Sequence, residues 1–127
     1  MKIDNVATAK ELRKFFKKEV WFIFSVSEYW HKYPDASPSD LPKIVLYNDG
    51  THLDDMRGYT NDIIDALEKW PAVERSVIWW RYIIKEPVID AEQRFNISGR
   101  RIQEIAQQGL VMFADAFVGT YDFRVMQ

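Results

Sequence analysis

The spacing of apolar residues between positions 98 and 117 constrains the fold of this chain more than any other feature. Apolar side chains recur there at steps of three and four residues, as on one face of an α-helix. They are Ile102, Ile105, Ala106, Leu110, Phe113 and Phe117. Ser98 precedes them and is a residue type favoured at a helix N-cap. The pattern predicts a long helix with one buried face, and therefore a mainly α-helical protein.

A shorter helix is predicted just before it, from Val88 to Phe95. Pro87 stands where the first turn of a helix tolerates proline. Asn96 and Ile97 then form a turn, because asparagine tolerates a positive φ better than most residues. A short helix, a tight turn and a longer helix are the layout of a helix-turn-helix, which reads DNA with its second helix. An ordinary helical hairpin with a solvated polar face is the alternative.

The polar side of the long helix supplies the candidate DNA contacts. Arginine can form two hydrogen bonds to guanine and glutamine two to adenine, while both can also contact phosphates. The predicted DNA-binding residues in and before this helix are Ser98, Gly99, Arg100, Arg101, Gln103, Glu104, Gln107 and Gln108. Arg94 and Arg81 are expected to contact phosphates.

The first turn of the long helix carries an electrostatic signal. Arg100 and Arg101 oppose the helix dipole there, at about 0.3–1 kcal/mol for each exposed cation. A bound phosphate would reverse the sign of that interaction. Gly99 has no side chain, so a DNA backbone can approach the free N–H groups of the helix terminus.

Further helices are expected to complete a three- or four-helix bundle. The first starts at Ala9 with Thr8 as its cap and continues to about Tyr33, although residues 20–26 are aromatic and β-branched enough to form a strand. Its first half carries five basic residues, Lys10, Arg13, Lys14, Lys17 and Lys18. A solvated face is the commoner explanation of such a cluster, and contact with DNA phosphates is the other.

Two more helices are predicted in the middle of the chain. One runs from about Asp55 to Lys69, and the next follows Trp70 and Pro71. Adjacent Trp79 and Trp80 cannot share a helix face, because neighbouring residues are about 100° apart around the axis.

The chain divides into an N-terminal helical segment (1–33), a connector (34–55) and a helix-turn-helix domain with a C-terminal tail (56–127). Prolines and serines interrupt the connector. Residues 43–47 within it have strand character, and residues 120–125 alternate between apolar and polar. These two segments are expected to pair as a minor sheet, unless the tail pairs with a second copy.

Composition indicates one hydrophobic core. The 127 residues are 47% hydrophobic and include five Trp, six Tyr and eight Phe. Some of these aromatic residues are expected at the surface or in a contact between copies, so a homodimer or higher homo-oligomer is predicted. No signal peptide or membrane span is expected, because the apolar run at 20–24 is far too short.

Charge argues mildly against nucleic acid. The net charge is −2, and seven basic residues balance seven acidic ones from Ala72 onward. Affinity for DNA must therefore come from the local arrangement of charges.

Catalysis is not expected, and neither is a cofactor. The absence of cysteine excludes disulfides, thiol nucleophiles and thiolate metal sites, which fits a cytoplasmic protein. The two histidines, His31 and His52, are isolated, and a metal site of His52 with Asp54 and Asp55 is the less common explanation of such residues. No phosphate-binding glycine loop or hydrolase motif occurs in the sequence.

Short motifs after position 40 carry a family resemblance. They are Leu41-Pro42-Lys43-Ile44, Ala66-Leu67, Pro71 with Glu74-Arg75, Arg81-Tyr82, Phe95-Asn96-Ile97-Ser98 and Phe113-Ala114-Asp115-Ala116. The chain resembles the phage-encoded ArpU-type late transcriptional regulators, whose C-terminal part is similar to the promoter-reading fourth region of sigma-70 factors. The chain differs from such folds at Glu92, where they usually have a small residue, and at Arg101, where Thr is common.

The resemblance implies binding to a promoter-like or operator site on double-stranded phage or prophage DNA, control of late genes, and contact with RNA polymerase. Two other functions fit a compact helical protein. One is a small terminase subunit, which would bind DNA at a packaging site as a ring. The other is an adaptor or anti-factor that grips a protein through its aromatic surface and binds no duplex.

Overall fold

The computed structural model describes residues 2–127, and helices dominate it. In chain order they are α1 (Asn5–Phe15), a first π-helical segment (Phe16–Val20), α2 (Trp21–Val26), α3 (Tyr29–Lys32), α4 (His52–Glu68), α5 (Ala72–Ile78), a second π-helical segment (Trp79–Ile83), α6 (Val88–Phe95) and α7 (Gly99–Ala116). The prediction of a mainly α-helical fold is confirmed.

The N-terminal helix starts earlier than its sequence pattern suggests. The Asp4 carboxylate caps α1 by accepting a hydrogen bond from the Ala7 N–H at 3.0 Å. The prediction of a Thr8 cap is therefore wrong. Thr8 is buried in the first turns of α1, and its hydroxyl accepts a hydrogen bond from the Val125 N–H at 2.9 Å. α4 likewise starts before the predicted Asp55, because Thr51 caps it.

Residues 20–26 are helical, as predicted, rather than a strand. The helix does not run unbroken to Tyr33, however. It ends at Val26, and Glu28 adopts a left-handed conformation with φ of 63° before α3 begins. The buried Ser27 hydroxyl donates to the Phe24 carbonyl at 3.0 Å in this break, so the chain turns without leaving that polar side chain unpaired.

The predicted pairing of residues 43–47 with 120–125 is wrong. The Asn61 side chain satisfies the backbone of Ile44, accepting from its N–H and donating to its carbonyl, both at 2.9 Å. The tail instead lies beside the N-terminus, where Ile3 and Met126 form an isolated antiparallel bridge. The Asp4 N–H also donates to the Val125 carbonyl at 2.7 Å.

Aromatic packing explains where the tail lies. The Phe123 ring centroid is 4.8 Å from that of Phe15 in α1 and 6.1 Å from that of Phe117. Packing these three rings together removes a large apolar area from water. The residues after α7 therefore lie along α1.

One hydrophobic cluster joins all three parts of the sequence. It includes Leu12 from the N-terminal segment, Leu41 from the connector and Leu110 from α7. Trp79 is fully buried, with its ring centroid 5.8 Å from that of Trp30, whereas Trp80 is half-buried. The two adjacent tryptophans therefore face different surroundings, as helix geometry predicts.

The short helix, the turn and the long helix form where the sequence predicts them. Pro87 immediately precedes α6, and Asn96 ends it in a left-handed conformation with φ of 54°. The Ser98 hydroxyl then caps α7 by accepting from the Arg101 N–H at 3.2 Å. Every member of the predicted apolar stripe of α7 is buried.

Gly109 lets α5 approach α7 closely. A Cβ at this position would lie 2.9 Å from Ile78 Cγ1 and 3.2 Å from Ile78 Cδ1, both in the core. Glycine in the middle of a helix lowers its stability by about 1 kcal/mol relative to alanine. The close contact between the helices offsets this cost.

Replacing Gly109 by alanine should therefore lower the free energy of unfolding, because overpacking a core costs about 1–3 kcal/mol. Gly58→Ala in α4 is the matched control, since a Cβ there would meet no atom within 4 Å. That change should stabilise the protein through helix propensity alone. Urea denaturation of both variants measures the difference, and equal stabilisation by both would show that Gly109 does not control the contact.

The turn residue Asn96 provides a second stability prediction. Asn96→Ala should destabilise the protein by about 1 kcal/mol, because alanine is strained in the left-handed region that asparagine tolerates. Asn96→Gly should be neutral or slightly stabilising. Thermal denaturation compares the two with Gln93→Ala, an exposed change within α6 that should have little effect.

Candidate nucleic-acid interface

The polar side of α7 lines an open groove of about 1240 Å³. α7 contributes Arg100, Gln103, Glu104, Gln107, Gln108, Val111 and Met112; α1 contributes Asn5 and Arg13; the second π-helical segment contributes Arg81 and Tyr82. The structure thus brings five predicted α7 contacts together with the predicted Arg81. Ser98, Gly99, Arg101 and Arg94 are not part of its lining.

Two arginines share one carboxylate at the start of α7. Arg100 Nε lies 3.6 Å from Glu104 Oε1, and Arg101 Nη1 lies 3.2 Å from Glu104 Oε2. The Arg100 side chain is 91% exposed. Exposed pairs of this kind usually contribute less than about 1 kcal/mol, so an incoming phosphate can compete for the guanidinium groups at little cost.

Gly99 has a packing role that sequence reasoning missed. A Cβ at this position would lie 2.9 Å from Glu92 Oε1 and 3.0 Å from Val88 Cγ1, both in α6. Glu92 is the residue that differs from the small one expected at this position from the family resemblance. Gly99 makes room for it, so the two helices keep their close contact. The expected approach of a DNA backbone to Gly99 stays a prediction.

Arg94, whose contact with a phosphate stays a prediction, forms an intramolecular ion pair. Its Nη2 lies 2.8 Å from Glu86 Oε2, and its Nε donates to the same carboxylate. The guanidinium carbon also lies 3.6 Å from the centroid of the Trp80 ring. The hydrogen bond to Glu86 raises the pKa of Arg94 above its usual range. These contacts hold α6 against the loop before it.

Arg81 is held in the groove by its neighbours. Its Nη1 donates to the Glu86 carbonyl, and its guanidinium carbon lies 5.8 Å from the Tyr82 ring centroid. The Tyr82 hydroxyl in turn accepts a hydrogen bond from Arg13 Nε at 3.3 Å. Within residues 2–127, no carboxylate lies within 4.0 Å of the guanidinium of Arg13 or Arg81.

Only Arg13 of the five basic residues in the N-terminal cluster lines the groove. Lys14 pairs with Glu11 at 3.3 Å on the surface of α1. The sequence indicated a cluster of five basic residues. It did not distinguish Arg13 from the lysines, and it did not indicate Asn5 or Tyr82, because their position depends on how α1 packs against α7.

Charge is segregated between two surfaces. The groove is lined by three arginines, Arg13, Arg81 and Arg100, and by the single carboxylate of Glu104. A separate depression beside α4 is lined by Asp54, Asp55, Asp62 and Asp65 together with Lys43. The local surplus of cations in the groove therefore coexists with a net charge of −2 for the chain.

Asp54, two residues after His52, has a structural role. Asp54 accepts hydrogen bonds from the Tyr47 N–H at 2.8 Å and the Asn48 N–H at 3.0 Å, which fixes the connector to the start of α4. Among residues 2–127, no three His, Asp or Glu side chains are grouped so that they could hold a metal ion.

Apolar side chains line a second groove, of about 610 Å³, on another part of the surface. Three exposed aromatic residues contribute to it: Phe22 from α2, Tyr59 from α4 and Tyr121 from the tail. Part of the aromatic content is thus at the surface, as composition predicts. No helix within residues 2–127 combines the length and the apolar character that crossing a membrane requires.

No model of a known protein family matches this chain, and no curated protein or solved structure matches it significantly. The resemblance to ArpU-type regulators therefore stays a prediction that depends on the short motifs quoted above.

Proposed function

We propose that this protein is a sequence-specific DNA-binding transcriptional regulator that acts on late genes of a phage or prophage. The observation that carries the proposal is the exposed polar stripe of α7 within a groove lined by three arginines. The helix-turn-helix geometry adds support, since Asn96 and Ser98 form the turn and the cap that such a reader needs.

The proposed mechanism follows from the two faces of α7. The apolar face is buried, so the helix is held firmly while its polar face enters the major groove, which is wide enough for an α-helix. Gln103 and Gln107 lie one turn apart on that face and are exposed and half-exposed, respectively. Glutamine can hydrogen-bond adenine in two places, so these side chains are the proposed base readers.

Arginines supply the contacts that are independent of base sequence. Arg100 and Arg101 lie at the start of α7, where a phosphate would also meet the positive end of the helix dipole. Binding to them releases counterions from DNA, so affinity falls as salt increases. Basic and acidic residues balance in the C-terminal half. The salt dependence of binding is therefore expected to come from these few arginines and not from the net charge.

The proposal includes a cytoplasmic location, contact with RNA polymerase, and assembly as a homodimer or higher homo-oligomer. A dimer would double the number of phosphate contacts, which suits a reader whose own groove holds only three arginines. Neither catalysis nor a cofactor is part of the proposed function.

A protein-interaction adaptor is the second candidate. The groove with Phe22, Tyr59 and Tyr121 favours it, because exposed aromatic residues are enriched in protein interfaces. The small terminase subunit is the third, and a ring-sized mass by light scattering would favour it.

The deciding experiment is the fluorescence anisotropy of a labelled duplex titrated at about 50 and 200 mM salt. The double change Arg100→Ala with Arg101→Ala should weaken binding and reduce the salt slope by about two, one for each lost phosphate contact. The melting temperature should stay nearly constant, because both side chains are exposed. The matched control removes two exposed lysines outside the groove, Lys32→Ala with Lys69→Ala.

Equal losses in the two double variants would show that α7 is not the reader. Absence of binding by the unmodified protein at low salt would reject the DNA proposal and favour the adaptor. A large fall in melting temperature would mean that Arg100 and Arg101 act structurally.

Glu104→Gln should strengthen binding to DNA severalfold. The change removes one negative charge from the groove and frees two guanidinium groups from the carboxylate that they share. Asp115→Asn, an exposed change on the same helix away from the groove lining, is the control. Weaker binding by Glu104→Gln than by this control would mean that the carboxylate itself contacts a base, as it can with cytosine.

A further inference from the structure

Within residues 2–127, only one of the three guanidinium nitrogens of Arg13 has a hydrogen-bond partner. Its Nε donates to the Tyr82 hydroxyl at 3.3 Å, and no other hydrogen bond of its side chain occurs within residues 2–127. No carboxylate in that range lies within 4.0 Å of it, although Arg81 and Arg100 line the same groove. Glu104, the one carboxylate of the groove lining, pairs with Arg100 and Arg101. An anion bound beside Arg13 and Arg81 would lower the repulsion between these two cations.

The position of Arg13 relative to the reader helix is fixed. The preceding Leu12 is fully buried in α1. The Phe15 ring centroid lies 6.3 Å from that of Phe113 and 5.9 Å from that of Phe117, which follows the end of α7. Packed cores do not deform continuously, so α1 and α7 form one rigid support for the groove.

We propose that Arg13 binds a phosphate of the DNA backbone, so that α1 forms the second wall of a cleft that seats one DNA strand beside the reader helix. This inference depends on the proposed function, because it assigns the ligand of the same groove. It goes further by giving the N-terminal helix a direct part in binding DNA.

The chemistry of the side chains favours phosphate over a base at this position. The bond to Tyr82 uses Nε and leaves both terminal nitrogens of Arg13 free to form a forked pair with two phosphate oxygens. Asn5 lines the same groove, and its side-chain amide can donate to a further oxygen. Tyr82 acts as a positioning residue, because it contacts Arg13 and orients the fork.

The experiment measures the salt slope of duplex binding for Arg13→Ala against Lys10→Ala, which removes one exposed charge from the same helix outside the groove. Arg13→Ala should reduce the slope by about one and weaken binding on the order of tenfold near 0.1 M salt. The loss should be equal on duplexes of unrelated sequence, because phosphates carry no base information. Arg13→Lys should keep the slope of the unmodified protein.

Tyr82→Phe should weaken binding less than Arg13→Ala and leave the slope unchanged, because the charge remains but loses its orienting partner. Melting temperatures measured in parallel separate binding effects from folding effects.

An Arg13→Ala slope equal to that of the unmodified protein would overturn the inference. If the Arg100 and Arg101 double variant still loses binding in that case, the proposed function stands and only the role of α1 is wrong. If the unmodified protein binds no duplex, the proposed function fails and this inference fails with it.

Discussion

The burial of one face of α7 is the constraint on which the rest of the structure depends. That helix packs against α1, α4, α5 and α6, so its apolar stripe serves as the common support of the bundle. Gly109 allows α5 to approach, and Phe113 meets Phe16 and Trp70 with ring centroids 5.1 and 5.8 Å away. Because one stripe is fully used in the core, the opposite stripe of glutamines and arginines remains available to solvent and to a ligand.

This division also resolves the apparent conflict between an acidic chain and a DNA-binding proposal. The net charge is a sum over the whole surface, whereas a ligand contacts only one part of that surface. Four aspartates line a depression beside α4, whereas three arginines and one glutamate line the groove beside α7. Over short distances at physiological salt the nearer charges dominate, since the Debye length is about 8 Å. A phosphate in the groove would therefore respond to the arginines first.

The arginines show how far residue type alone can predict a role. The sequence places both Arg94 and Arg13 on predicted helices. Arg94 is paired with Glu86 and stacked on Trp80, so its charge is used to hold α6 in place. Within residues 2–127, Arg13 has only the Tyr82 hydroxyl as a hydrogen-bond partner, and it lines the same groove as two other arginines. Whether a cation is structural or free depends on its distant neighbours, which no local pattern records.

The sequence by itself determined the mainly helical fold, the buried stripe of α7, its Ser98 cap and the left-handed turn at Asn96, because these depend on periodicity and on the conformational preferences of residues close in the chain. Only the tertiary structure decided that the tail lies beside α1 and not beside residues 43–47. It also decided that Glu92 packs over Gly99 and that Arg13 lines the groove. The positions of the tail and of Arg13 depend on contacts between segments far apart in sequence, where aromatic side chains of the core pack together. The contact of Glu92 with Gly99 depends on how α6 packs against α7 across the turn.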